Sequence, residues 1–171
     1  MSGVKAVSDL TENNISEFIS QNYDAIYKYC CWKVRNPLDA EDLTQETFLR
    51  FVKNLDSYTD KGKPTALLYT IARNLCINKS RQKATITLDM AENIQCENKT
   101  EEIENRIMLE QYLYTLSAEQ QEILQLRFGH SFQINEIAEI TGLSRFTVMY
   151  RIKTALTQLN KKMKEDAYFE K

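Results

Sequence analysis

From Ile15 onward the apolar side chains fall at Ile19, Tyr23, Ile26, Tyr27, Cys30 and Val34, a spacing of three to four residues that winds them onto one stripe of a helix. Asn36-Pro37 ends that helix, because proline removes a backbone donor and drives the residue before it out of the α region. A second helix is predicted over about residues 38–55, with Leu43, Phe48, Phe51, Val52 and Leu55 facing inward. Residues 56–64 read as a loop by composition. A third helix starts near Thr65, carries Leu67, Leu68, Ile71, Leu75 and Cys76, and fades into the polar stretch 78–83.

The pattern then changes. Residues 84–102 lack helical spacing and contain Asp89, Glu92, Glu97, Glu101 and Glu102, the signature of an extended acidic connector. Beyond it lie an amphipathic stretch over 103–116 and the sequence Ser117-Ala-Glu-Gln, a capping-box pattern through Ser117 and Gln120. A helix is predicted from there to Gly129, taken as a left-handed stop. Ile134–Thr141 reads as a short helix and Gly142 as a turn. Ser144 caps a final helix bearing Val148, Ile152, Ala155, Leu156 and Leu159. The expected fold class is therefore all-α, with small helical domains at 1–83 and 103–171 joined by a flexible acidic linker at 84–102.

Composition narrows the functions available to such a chain. Its 171 residues are 43% hydrophobic and 27% charged, an ordinary globular balance that allows one domain or two small ones. Only four glycines and two prolines occur, too few for Gly-rich phosphate loops or a turn-dense β-sandwich. The net charge of −2 is unevenly spread, at +2 over residues 1–83, −5 over 84–105 and +1 over 106–171, so nucleic-acid binding would have to rest on local charge. Cys30, Cys31, Cys76 and Cys96 lack the spacing of a tetrahedral zinc site, and no metal or cofactor is expected. The absence of a long apolar run predicts no membrane insertion and a soluble protein of a reducing, cytoplasmic compartment. His130 follows Gly129 in a turn without a Ser, Cys or Asp partner, so it reads as a loop residue and no enzyme active site is expected.

Three constellations remain. Residues 135–152 have helix-turn-helix spacing: Ile137, Leu143, Val148 and Ile152 lock two helices together, small Ala138 permits close approach, and Gly142 makes the turn. That leaves Arg145, Thr147, Tyr150, Arg151, Lys153 and Thr154 outward, with Ser144 and Met149 beside them, where a recognition helix meets phosphates and base edges. A plain αα-hairpin with a solvated polar face would share the pattern. The run from Lys61 to Lys83 holds Lys61, Lys63, Arg73, Lys79, Arg81 and Lys83 without an acid, interleaved with Tyr69, Asn74 and Asn78. Unopposed cations beside rings and amides suit melted nucleic acid, though a solvated helix face would look similar. Finally, Asp42, Gln45 and Glu46 share one helix face; with no histidine nearby, a basic protein partner fits better than acid–base chemistry.

The blocks at 39–50 and 68–74, followed by those at 116–128 and 134–159, resemble regions two and four of bacterial RNA polymerase sigma factors of the extracytoplasmic-function type, in the sigma-seventy family. The resemblance implies a promoter-specificity subunit that binds core RNA polymerase and directs promoter recognition, DNA melting and transcription initiation. Asp42, Gln45, Glu46 and Leu49 would dock on the coiled coil of the largest polymerase subunit. Tyr58, Lys61, Lys63, Tyr69, Arg73, Asn74, Lys79 and Arg81 would hold the start-proximal promoter element, and the helix-turn-helix would read the upstream element while its domain rests on the polymerase flap. The acidic linker would thread the polymerase's cleft and RNA exit path, and an anti-sigma factor is an expected partner. The sequence departs from the family's pattern at Leu67, where tryptophan is usual, at Lys63-Pro64, and at Met149 and Thr154, where basic residues are common. A stand-alone helix-turn-helix regulator and a helical protein-binding adaptor are the alternatives.

Overall fold

The computed structural model describes residues 12–54, 63–86 and 111–169. Its described residues form helices and turns and no strand, and the chain divides into two compact units, Met1–Glu97 and Asn98–Lys171.

In the first unit, helix α1 spans Glu12–Val34. It stops where Arg35 turns left-handed at φ 51° and donates its N–H to the Cys31 carbonyl at 2.8 Å. Helix α2, Pro37–Lys53, starts three residues later: the Asn36 side chain accepts from the Asp39 N–H at 3.0 Å. Pro37 stands at the opening of α2, where a missing donor costs nothing. Helix α3 spans Pro64–Ile86. It therefore runs into the first three residues assigned to the acidic connector; residues 87–102 lie outside the described residues.

The three helices close over Ile26, Tyr29 and Cys30 of α1, Phe48 and Phe51 of α2, and Leu68, Ala72 and Cys76 of α3, all buried. Ring pairs tie the core together: Phe18 stacks on Phe51 with centroids 5.2 Å apart, Tyr23 on Phe48 at 5.6 Å, and Tyr29 meets Tyr69 edge-on at 5.2 Å. The buried stripe of α2 is Ala40, Leu43, Thr44, Thr47, Phe48 and Phe51, a run in steps of three and four that admits two threonines. Their hydroxyls donate to the Ala40 and Leu43 carbonyls at 2.7 and 2.6 Å, which removes the penalty of burying them unpaired. Val52, expected inside, is exposed: one turn beyond Phe48, it falls past the edge of that stripe towards the face of Leu49. Leu55 lies outside the described residues.

In the second unit a helical turn at 111–114 leads to Ser117. The capping box forms: Ser117 Oγ accepts from the Gln120 N–H at 3.3 Å, and Gln120 Oε1 accepts from the Ser117 N–H at 3.0 Å. Helix α4, Ala118–Leu124, then widens into a π-helical turn, Gln125–Gly129, with the His130 N–H donating five residues back to Gln125 at 3.1 Å. Gly129 is not the left-handed stop the sequence suggested. That conformation falls on Ser131, φ 58°, while a Cβ on Gly129 would meet the Gln125 side chain at 3.0 Å. Arg127 braces the turn by donating to the Phe132 carbonyl at 2.9 Å.

Helix α5, Ile134–Thr141, ends at Gly142, whose φ of 73° reverses the chain. Helix α6 follows as Arg145–Phe169, its first turn capped by Ser144 Oγ accepting from the Thr147 N–H at 3.1 Å. Ile137 and Ile140 of α5 and Val148 of α6 are buried, and Leu116, Leu124 and Ala155 form a cluster flanked by Leu113, Ile152 and Leu159. Leu156 points outward, while Ile152, Ala155 and Leu159 occupy the inner stripe. His130 is half-buried, and that burial holds its pKa below the ordinary 6.5.

Candidate nucleic-acid interface and docking surface

The helix-turn-helix leaves one clean open face on α6. Phe146, Met149, Tyr150 and Lys153 follow one another at i, i+3, i+4 and i+7, and all four are exposed, as is Arg145 in the first turn. Ser144 and Thr147 are spent on the helix start, their hydroxyls 2.8 Å apart. Two residues expected on this face are turned elsewhere. Arg151 pairs with Glu119 of α4, and the Thr154 hydroxyl, which donates to the Tyr150 carbonyl at 3.0 Å, lies 3.4 Å from Gln120 Nε2. Both are contacts that hold α4 against α6, supplied by two polar residues just beyond the Ser117 cap.

On α2, Asp42, Gln45 and Leu49 are exposed and Glu46 is half-buried, so the four lie on one surface. Glu46 Oε1 accepts from Arg50 Nε at 2.6 Å, an i to i+4 pair that leaves Asp42 as the open carboxylate of the group. Leu38 and Val52 extend the stripe in the same register and are also exposed. The surface is thus acidic at its centre and apolar along its length.

The basic run of α3 is divided by the fold. Tyr69 is only 2% exposed and packs on Tyr29; burial pushes its hydroxyl pKa well above 10.0, so it stays protonated. It is a core ring, not a surface for stacking bases. Lys79 forms an ion pair with Asp39 of α2 at 3.0 Å, so its charge is answered by an acid far away in sequence. Arg73 and Lys63 are half-buried, whereas Asn74, Asn78 and Arg81 form an exposed i, i+4, i+7 line. Tyr58 and Lys61 lie outside the described residues.

Among the described residues no group of three or more His, Cys, Asp or Glu side chains could hold a metal ion. Cys30, Cys31 and Cys76 are buried in the helical core. No described helix is long and apolar enough to cross a membrane.

These two surfaces lie in segments that match two family models in order, Sigma-70 region 2 over residues 18–86 and Sigma-70, region 4 over residues 112–161. The chain belongs to the sigma-70 family. Its similarity to extracytoplasmic-function sigma factors is direct. It is 32% identical to the ECF RNA polymerase sigma factor BldN of Streptomyces coelicolor, over 81% of this chain and 57% of that protein. It is 26% identical to the ECF RNA polymerase sigma factor SigW of Bacillus subtilis, over 95% of each. Among solved structures it shares its fold with the sigma factor RpoE of Bartonella quintana, in complex with the anti-sigma factor NepR, at a TM-score of 0.69 and 20% identity, covering 88% of this chain and 97% of that one. CnrH in complex with the cytosolic domain of CnrY gives 0.65 and 20%, covering 94% and 93%. This sigma factor is of the extracytoplasmic-function type, a factor for promoter recognition and transcription initiation.

Three surface residues escaped the reading of its sequence. Leu38 and Val52 would have emerged by extending the Asp42–Leu49 register one turn each way, since a docking stripe has the same period as a core stripe. Phe146 is apolar and stands among the outward positions of α6. Only the burial of Val148 on the other side of α6 shows that Phe146 has no inward position to occupy.

Proposed function

We propose that this sigma factor works as a dissociable promoter-specificity subunit in the cytoplasm and supplies no catalysis of its own. The exposed stripe of α2 docks on core RNA polymerase, with Asp42 and Glu46 facing cations of the largest subunit's coiled coil and Leu38, Leu49 and Val52 supplying apolar contact. Region two, residues 1–83, holds the start-proximal promoter element in its opened form. Asn74 and Arg81 on the outer line of α3 join Arg73 and Lys63 in this task, with Tyr58 and Lys61 ahead of them in sequence; unpaired bases need amides and rings while their phosphates need charge. Lys79, already paired with Asp39, contributes less.

Region four, residues 103–171, rests on the polymerase flap and lays α6 in the major groove of the upstream element. The acidic segment beyond α3, within residues 87–102, occupies polymerase channels built for nucleic acid, whose charge it mimics. Each DNA contact set is small, and the polymerase raises their joint affinity by holding them together, so the free chain binds promoter duplex weakly. Two proteins sharing its fold are seen in complexes, one with an anti-sigma factor and one with the cytosolic domain of CnrY. By that analogy an anti-sigma factor restrains this chain by covering the same surfaces.

The observation that carries this reading is the occurrence in one chain of an acidic and apolar open stripe on α2 and an open recognition face on α6. Replacing Asp42 and Glu46 together by lysine is expected to abolish capture by core polymerase, and with it run-off transcription, while helix content and the unfolding midpoint stay unchanged. Unaltered capture at equal yield would overturn the docking assignment. Tight promoter binding by the chain without polymerase would point instead to a self-sufficient regulator.

A further inference from the structure

Phe146 is 84% exposed, Tyr150 68% and Met149 51%, and they adjoin one another on the first two turns of α6. Nothing in the fold of their unit requires these side chains there, since Val148 and Ala155 on the opposite side are completely buried. The surroundings of the patch identify its partner. Arg145 and Lys153, both exposed, bracket the three apolar residues, and no acid occurs from residue 143 to residue 164. The patch also lies at the N-terminal end of α6, where helix polarity favours anions. An apolar patch framed in this way complements a polyanion that presents an apolar group.

In the major groove that group is the thymine 5-methyl. Guanine and adenine are read by bidentate arginine, asparagine or glutamine, and none of these stands at 146, 149 or 150. We propose that Phe146, Met149 and Tyr150 read thymine methyl groups in the upstream promoter element, so that this sigma factor sets part of its upstream specificity by apolar contact, with Arg145 and Lys153 fixing register on the phosphates. The proposal rests on the assignment of α6 as the recognition helix.

The test uses holoenzyme assembled from the full chain and core polymerase, on a promoter fragment recovered by run-off selection. In synthetic strands each thymine of the upstream segment is replaced singly by deoxyuridine, which removes the methyl and keeps every hydrogen-bonding group. Burying one methyl corresponds to roughly a fourfold change in affinity, so at one or more positions deoxyuridine should weaken binding by about that factor. Phe146→Ala or Met149→Ala should bind the thymine and deoxyuridine fragments equally, and Phe146→Leu should restore part of the difference. Such exposed positions leave folding unaffected, which circular dichroism checks.

Indifference to deoxyuridine at every upstream position, in a holoenzyme that still rejects a scrambled upstream segment, overturns methyl reading and leaves promoter recognition standing. If the alanine variants keep the thymine preference but lose capture by core polymerase, the patch is a protein-docking surface and the proposal falls. A holoenzyme that does not distinguish promoter from scrambled DNA overturns the recognition-helix assignment and this proposal with it.

Discussion

The two units treat their aromatic side chains in opposite ways. In the first, Phe18, Tyr23, Tyr29, Phe48, Phe51 and Tyr69 are committed to ring pairs among three long helices, and the open surface of α2 is acidic and aliphatic. In the second, two short helices and the long α6, held by caps and turns, bury mainly aliphatic residues beside Tyr112 and Phe132, while Phe128, Phe146 and Tyr150 face outward. A ring in a basic segment is therefore not by itself a stacking platform. Tyr69 and Tyr150 both lie among cations in sequence, yet one is sealed in a core and the other is available to a partner.

The strongest way to break this contrast is to truncate one ring on each side of it. Phe51→Ala removes a fully buried ring stacked on Phe18 and should cost about 3–5 kcal/mol, enough to unfold much of the first unit. Phe146→Ala should change stability by less than about 0.5 kcal/mol. Urea titrations of the two variants check the pair, and comparable losses would show that Phe146 belongs to the fold after all.

Next in size is the turn that aims α6. Nothing lies within 4 Å of a Cβ built on Gly142, but its φ is 73°, so Gly142→Ala should cost about 1–2 kcal/mol through backbone strain alone. The helix start at Ser117 is comparable or smaller: Ser117→Ala loses one half of the capping box and should cost about 1 kcal/mol. Both are read as shifts of the denaturation midpoint of the second unit.

The smallest effect is a pH dependence. Burial holds His130 below its ordinary 6.5, so the unfolded chain takes up a proton more readily than the folded one. Its contribution is complete above about pH 6.5 and is lost as the pH falls through that value towards the folded pKa. The second unit should therefore weaken as the pH falls below about 6.5, and His130→Gln should remove that part of the slope. An unchanged slope would show that His130 does not titrate differently on folding.

Much of this was legible in the chain. The Asn36-Pro37 boundary, the Ser117 capping box, Gly142 and Ser144 each depend on local backbone chemistry, which neighbouring residues specify by themselves. The face bearing Asp42, Gln45 and Glu46 follows from helical period alone, and the family resemblance adds Leu49 to it. The errors share one origin. Val52 reads as inward because it is apolar, although only the neighbouring helices determine which part of a wide stripe is covered. Gly129 was given a left-handed role that Ser131 takes, because the helix widens there and delays its own ending. Lys79 and Arg151 were counted as open cations until Asp39 and Glu119, each more than thirty residues away in sequence, came to meet them.

The chain's own order of residues thus determined that it is helical, where most of its helices begin, and which blocks carry the sigma-factor pattern, because hydrogen-bonded turns and side-chain period are local properties. Tertiary structure alone decided which cations keep an open charge and which rings reach solvent. Those outcomes depend on groups brought within a few ångströms by packing, where ion pairing and desolvation operate.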